Sequence, residues 1–126
     1  MNVNHIAIWT KHIEVLKLFY IKYFGVEANN KYRNPSRELE SYFLTFDTGC
    51  RLELMKVPYL GEASHKLISG FAHISISVGS MGEVNELTNR LRHDGYVVDS
   101  EPRTTGDGYY ESVVLDPDGN RIEITA

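Results

Sequence analysis

The 126 residues predict an α+β fold built from two tandem βαβββ modules, each reading strand, helix, strand, strand, strand. Three observations carry that reading. His-Ile-Ala-Ile at 5–8 returns as His-Ile-Ser-Ile at 73–76. Arg-Leu-Glu-Leu at 51–54 returns as Arg-Ile-Glu-Ile at 121–124, again about 70 residues later. Between these copies the apolar period moves from two to near 3.6 and back to two. The chain is therefore expected to be a single domain, with module one at 1–57, a linker at 58–70 and module two at 71–126.

Residues 2–9 alternate as a strand, with Val3, His5, Ala7 and Trp9 on one face and Asn4, Ile6 and Ile8 on the other. Residues 11–24 then take a helical period, placing Ile13, Leu16, Tyr20 and Phe24 on one stripe. Gly25 is placed to end that helix in a left-handed turn. A weak strand follows at 26–33 and a firmer one at 40–46, with 33–38 read as a loop. Asp47-Thr48-Gly49 turns the chain into a strand at 51–55.

The second module repeats this more cleanly. Phe71 to Val78 reads as a strand, and Ser80-x-x-Glu83 has the spacing of a capping box. Met81, Val84, Leu87 and Leu91 form the helix stripe, which Gly95 closes. Strands are expected at 96–101, 109–115 and 121–125, with 102–108 as a loop. In Asp116-Pro117-Asp118-Gly119 the proline fixes φ at the second position and the glycine ends the turn.

The phases of these strands separate two kinds of residue. Ile6, Ile8, Leu52 and Leu54, with Ile74, Ile76, Ile122 and Ile124, face the helices. His5, Glu53, His73 and Glu123 fall on the opposite face, where no apolar packing asks for them. A carboxylate set in a sheet's concavity is costly unless positive charge pairs with it. Taken singly, each residue has an ordinary explanation, such as a cross-strand salt bridge from Arg51 or Arg121. Recurrence at equivalent positions instead points to one metal site holding His5, Glu53, His73 and Glu123. Two imidazoles and two carboxylates suit Ni, Co, Zn, Mn or Fe as the divalent ion. Six-coordination leaves two positions open, the mark of a catalytic site. His12, His65 and His93 do not repeat and are read as surface residues.

Composition narrows the function classes. Of the residues, 42% are hydrophobic and 24% charged, which is ordinary for a globular chain. A net charge of −4 with interspersed acids and bases gives no basic stripe, so no nucleic-acid partner is expected. No apolar run approaches membrane-spanning length, and no signal segment opens the chain, so no membrane partner is expected. Cys50 is the only cysteine, which points to a reducing, cytoplasmic setting. Modules of this size are marginal alone, and pairing between modules or across a dimer is expected.

These motifs resemble the vicinal oxygen chelate superfamily, which includes glyoxalase I, bleomycin-resistance proteins, extradiol dioxygenases, fosfomycin-modifying enzymes and methylmalonyl-CoA epimerase. The resemblance covers essentially the whole chain, through His-Ile-Ala-Ile, Phe19-Tyr20, Gly25, Arg-Leu-Glu-Leu and Asp-Pro-Asp-Gly-Asn-Arg-Ile-Glu-Ile. The order His, Glu, His, Glu is similar to that of glyoxalase I and is filled by His5, Glu53, His73 and Glu123. The resemblance implies a cupped mixed β-sheet with helices on its outer face, and a homodimer. It also implies a metal-dependent, glyoxalase-I-like lyase or isomerase acting on a small metal-chelating oxygenated substrate. In that chemistry Glu123 is the base that moves a proton between adjacent carbons, with Glu53 its near-symmetric partner.

One departure stands out. Bacterial glyoxalase I proteins commonly carry Arg four residues after the first His, where this chain has Trp9. An indole does not replace a bidentate guanidinium, which weighs against glutathione as the thiol. Arg33, Arg37 and Arg103 are the cations expected to grip an anionic group, and Trp9, Tyr42, Phe71 and Tyr110 the aromatic walls. The alternatives are a non-catalytic drug-binding protein, or another enzyme of the superfamily such as an epimerase or extradiol dioxygenase.

Overall fold

The computed structural model describes residues 3–47, 49–62 and 69–126. The chain divides into two compact units, Met1–Ala63 and Ser64–Ala126, each described here by itself. Thr48 and residues 63–68 of the expected linker, His65 among them, lie outside the described residues. The fold class is α+β, with a mixed sheet and one α-helix in each unit. No described helix is long and apolar enough to cross a membrane.

In the first unit β1 (His5–Trp9) leads through α1 (Ile13–Phe24) to β2 (Glu27–Ala28), β3 (Tyr32–Asn34), β4 (Leu39–Thr45) and β5 (Arg51–Lys56). The strand order is β1-β5-β4-β2, with β3 also on β4. β1 runs parallel to β5, and β4 is antiparallel to it. Helix α1 packs on β4 and β5. The buried stripe is Ile13, Leu16, Phe19, Tyr20 and Tyr23, set against Leu44, Leu52 and Leu54. Phe24, expected in that stripe, is only half-buried, because Phe19 and Tyr23 take the i, i+4 row that meets the sheet. Gly25 adopts φ 65° and its N–H returns to the Ile21 carbonyl, so the helix ends where the glycine permits a left-handed turn.

The second unit runs β6 (Ile74–Ser77), α2 (Met81–His93), β7 (Val98–Thr104), β8 (Tyr110–Leu115) and β9 (Arg121–Thr125). Its order, β6-β9-β8-β7, repeats the parallel pairing of first and last strands. Ser80 caps the helix as its spacing predicts, its Oγ accepting the Glu83 N–H at 3.2 Å, but the Glu83 carboxylate accepts from that hydroxyl at 2.8 Å. At the other end Tyr96 N–H reaches Leu91 O and Gly95 N–H reaches Arg92 O, a Schellman closure with Gly95 at φ 90°. Val84, Thr88 and Leu91 bury against Ser112, Val114, Ile122 and Ile124, whereas Met81 stays exposed in the first helical turn. The polar pair in this core is satisfied, since Thr88 Oγ1 donates to Val84 O at 2.6 Å and sits 2.7 Å from Ser112 Oγ.

Several expectations need correction. Residues 33–38 are not one loop: Arg33 and Asn34 end β3, and Pro35–Arg37 form a 3₁₀ turn capped by Asn34. The weak strand expected at 26–33 is two short strands with a break between them. β7 continues through Pro102 to Thr104, well into the stretch read as loop. A proline is tolerated there because β7 is an edge strand whose register shifts between Ser100 and Arg103. The strand expected from Phe71 begins only at Ile74, leaving Phe71 94% exposed. Ile6, Ile8, Ile74 and Ile76 are half-buried rather than core, because β1 and β6 are edge strands of their units' sheets.

Candidate metal centre

Register explains why the candidate ligands meet in pairs. In the first unit His5 lies opposite Arg51 and Ala7 opposite Glu53, so His5 and Glu53 share the face turned away from α1. Ala7 is small, and nothing bulky separates the imidazole from the carboxylate. His5 Nε2 stands 3.8 Å from Glu53 Oε2. In the second unit Ser75 lies opposite Glu123, and His73 Nε2 stands 3.1 Å from Glu123 Oε2. Both histidine side chains are 40% exposed, while Glu53 and Glu123 are 15% and 19% exposed. Two modules thus reach the same local arrangement of an accessible imidazole over a half-sunken carboxylate.

Neither carboxylate is claimed by a neighbouring arginine among the described residues. Arg51 Nη2 donates to Asn4 Oδ1 at 2.6 Å and its guanidinium lies 4.4 Å over the Phe43 ring. Arg121 forms an ion pair with Asp99. The cross-strand salt bridges that would explain Glu53 and Glu123 away are therefore not made. The donor set, nitrogen plus carboxylate oxygen in each unit, fits a divalent transition ion. Among the described residues no group of three or more His, Cys, Asp or Glu is gathered at one centre; the expected ligands meet as two pairs, His5 with Glu53 and His73 with Glu123.

His73 and Glu123 open into a cavity of about 430 Å³ in the second unit. Ser75, Thr105, Asp107, Tyr109, Glu111 and Thr125 complete its lining, a largely polar set. The β7–β8 hairpin supplying part of this wall is tied down by Thr105. Its Oγ1 donates to Asp107 Oδ1 at 2.5 Å and accepts the Tyr109 N–H at 3.1 Å. The substrate-size space is of the scale small-molecule sites use.

The other candidate residues scatter. Trp9 lies on the same strand face as His5, opposite Met55, and is 54% exposed. Arg33 pairs with Glu40 on the sheet edge. Arg37 sits in the 3₁₀ turn, its backbone N–H on Asn34 Oδ1. Arg103 lies opposite Glu111 but places its guanidinium on Ser100 Oγ at 2.7 Å. Tyr110 is directed to α2, where its hydroxyl donates to Asn85 Oδ1 at 2.8 Å, and its neighbour Tyr109 lines the cavity. Tyr42 likewise belongs to the helix side, donating to Glu14 beneath the Lys17 ammonium. Sequence reasoning missed Tyr109, Asp107, Glu111 and the Thr105 hydroxyl. The alternation of β8 held the signal, since Glu111 shares its face with Val113 and so, across the ladder, with Glu123.

Comparison with known proteins adds a family and a fold. The family model described as Glyoxalase/Bleomycin resistance protein/Dioxygenase superfamily matches residues 2–124. A Bacillus subtilis (strain 168) relative, the uncharacterized protein YqjT, is 25% identical over 131 residues, covering 98% of each chain. Among solved structures, glyoxalase I from Zea mays superposes with a TM-score of 0.82 at 21% identity. That match covers 98% of this chain but 44% of the maize chain, so the present chain spans less than half of that enzyme's length. The trypanothione-dependent glyoxalase I of Leishmania major gives 0.80 at 24% identity, covering 99% and 86% of the two chains. A glyoxalase family protein from Enterococcus faecalis gives 0.81 at 21%, covering 99% and 97%.

Proposed function

The chain belongs to the Glyoxalase/Bleomycin resistance protein/Dioxygenase superfamily, and from that premise we propose that it is a metal-dependent, glyoxalase-I-like lyase or isomerase. The observation carrying the proposal is the duplicated half-site, His5 with Glu53 at 3.8 Å and His73 with Glu123 at 3.1 Å. His5, Glu53, His73 and Glu123 are the residues that would hold one divalent ion. When bound, such an ion supplies Lewis-acid polarisation of two vicinal oxygens on a small substrate. Ni, Co, Zn, Mn and Fe all suit this donor set.

The chain's own residues then divide the work. Glu123 takes the proton from one carbon of the substrate and returns it to the adjacent carbon, so no net proton is consumed. It is the favoured base because it opens into the polar cavity, where a substrate can approach its Oε2. Glu53 is its counterpart in the other unit. Thr105 keeps the hairpin wall in place through its bonds to Asp107 and Tyr109. Trp9, Arg37 and Arg103 remain substrate-contact candidates, of which Trp9 shares its strand face with a ligand; Tyr110 bonds Asn85 on α2, and Tyr109 takes the place at the cavity.

Trp9 in place of a basic residue weighs against glutathione as the thiol; the structurally similar glyoxalase I of Leishmania major is itself described as trypanothione-dependent. The proposal includes a cytoplasmic homodimer, which sedimentation and fractionation read directly. The reaction is tested by incubating Ni- or Zn-reconstituted protein with methylglyoxal and a panel of low-molecular-weight thiols. Thioester formation with at least one thiol is expected. No product with any thiol, together with tight ligand binding that a chelator leaves unchanged, would favour a binding protein instead.

A further inference from the structure

We infer that Arg51 and Asn4 are positioning residues that set the tautomer of His5, so that its ring presents a bare Nε2 lone pair to the ion. This rests on the metal-binding reading of His5. Asn4 Oδ1 lies 2.9 Å from His5 Nδ1 and 2.6 Å from Arg51 Nη2. A carboxamide has an accepting arm and a donating arm, whereas a guanidinium only donates. Arg51 therefore selects the oxygen arm of Asn4. That oxygen accepts and cannot donate, so the hydrogen it meets on the imidazole must sit on Nδ1. A neutral ring protonated at Nδ1 leaves Nε2 unprotonated, and Nε2 is the atom turned toward Glu53.

The selector is itself held. The Arg51 guanidinium lies 4.4 Å over the Phe43 ring, and Phe43 meets His5 edge-on with centroids 5.3 Å apart. The Arg51 backbone N–H also donates to the Asn4 carbonyl at 3.2 Å. Guanidinium, carboxamide, phenyl and imidazole thus form one cluster on β1, β4 and β5. The second unit lacks it: Ala72 precedes His73, and Arg121 is committed to Asp99. Among the described residues the cluster at His5 has no counterpart at His73, an asymmetry hidden beneath the sequence repeat. Partners of this kind orient a ligand histidine and carry about 10–100-fold in metal affinity.

The test reads the ring directly. Long-range ¹H–¹⁵N correlation spectra of metal-free, ¹⁵N-histidine-labelled protein are recorded at about pH 8, above the ordinary imidazole range. His5 is assigned by the signal lost in H5Q. Wild type should show His5 chiefly as the Nδ1–H form, with His73 unaffected by changes at Asn4. N4A and R51M should lose that preference and bind Zn²⁺ about 10–100-fold more weakly in dye competition, while N4D, which still accepts, should keep both. A wild-type His5 protonated mainly at Nε2 overturns the inference without recourse to any variant. An N4A protein with unchanged tautomer and unchanged Zn²⁺ affinity overturns it too. Failure of the thioester reaction would leave the tautomer result standing, so the two claims fail separately.

Discussion

His73, the residue before β6, sets its Nε2 3.1 Å from Glu123 Oε2 on the parallel β9, and His5 and Glu53 reproduce the relationship at 3.8 Å across β1–β5. The repeat is chemical as well as structural. Parallel pairing of the first and last strands of each module is what sets His and Glu on one face, two residues out of direct opposition. A shift of one residue in either register would send the carboxylate to the helix side.

Removing a ligand should weaken the metal more than it weakens the fold. H5A, H73A, E53A and E123A each take away one donor from a side chain that is not part of the core. Each is expected to lose at least about tenfold in Zn²⁺ or Ni²⁺ affinity, read by calorimetry, while thermal midpoints of the metal-free proteins stay close to wild type.

Glu123→Gln separates binding from proton transfer. The amide keeps an oxygen donor but no longer accepts a proton at neutral pH. Solvent hydrogen exchange at the substrate carbon should fall by about 10²–10⁴-fold, with metal content partly retained. Unchanged exchange would remove Glu123 from the role of base.

Glu14 gives the first unit an acid-sensitive contact. The Lys17 ammonium, then Lys31 and the Tyr42 hydroxyl, hold its carboxyl down from an ordinary 4.5 to about 2. A lowered carboxyl stabilises the fold above the ordinary range, and that stabilisation disappears as pH falls toward the folded value. Because the side chain is half exposed, E14Q should cost only about 0.5–1 kcal/mol at neutral pH. The same variant should show a shallower loss of stability between pH 4.5 and about 2 in acid titrations followed by circular dichroism.

The buried Thr88–Ser112 pair ties α2 to β8 and should show non-additivity. Thr88→Val leaves the Ser112 hydroxyl without its side-chain partner in a dry core, at a cost of about 1–3 kcal/mol by urea denaturation. Adding Ser112→Ala should recover part of that loss, since the stranded hydroxyl is then gone.

Much of this architecture was legible because its signals are local. The N-cap at Ser80, the glycine closures at 25 and 95, and the Asp116–Gly119 turn all act over a few residues. The His and Glu recurrence was legible because it is a repeat. What escaped depends on partners far along the chain. Nothing near Arg51 announces that it will bond Asn4 rather than Glu53, and nothing near Pro102 says that β7 will be an edge. Tyr109 and Tyr110 are adjacent and chemically identical, so only the phase of β8 decides which meets the cavity.

Anomalous scattering from crystals grown with Ni²⁺ or Zn²⁺ reads whether the two His–Glu pairs, one per module, hold a common ion. A single peak is expected within bonding distance of His5 Nε2, His73 Nε2 and a carboxylate oxygen from each of Glu53 and Glu123. A peak bound by one pair alone, with the other pair facing elsewhere, would contradict it.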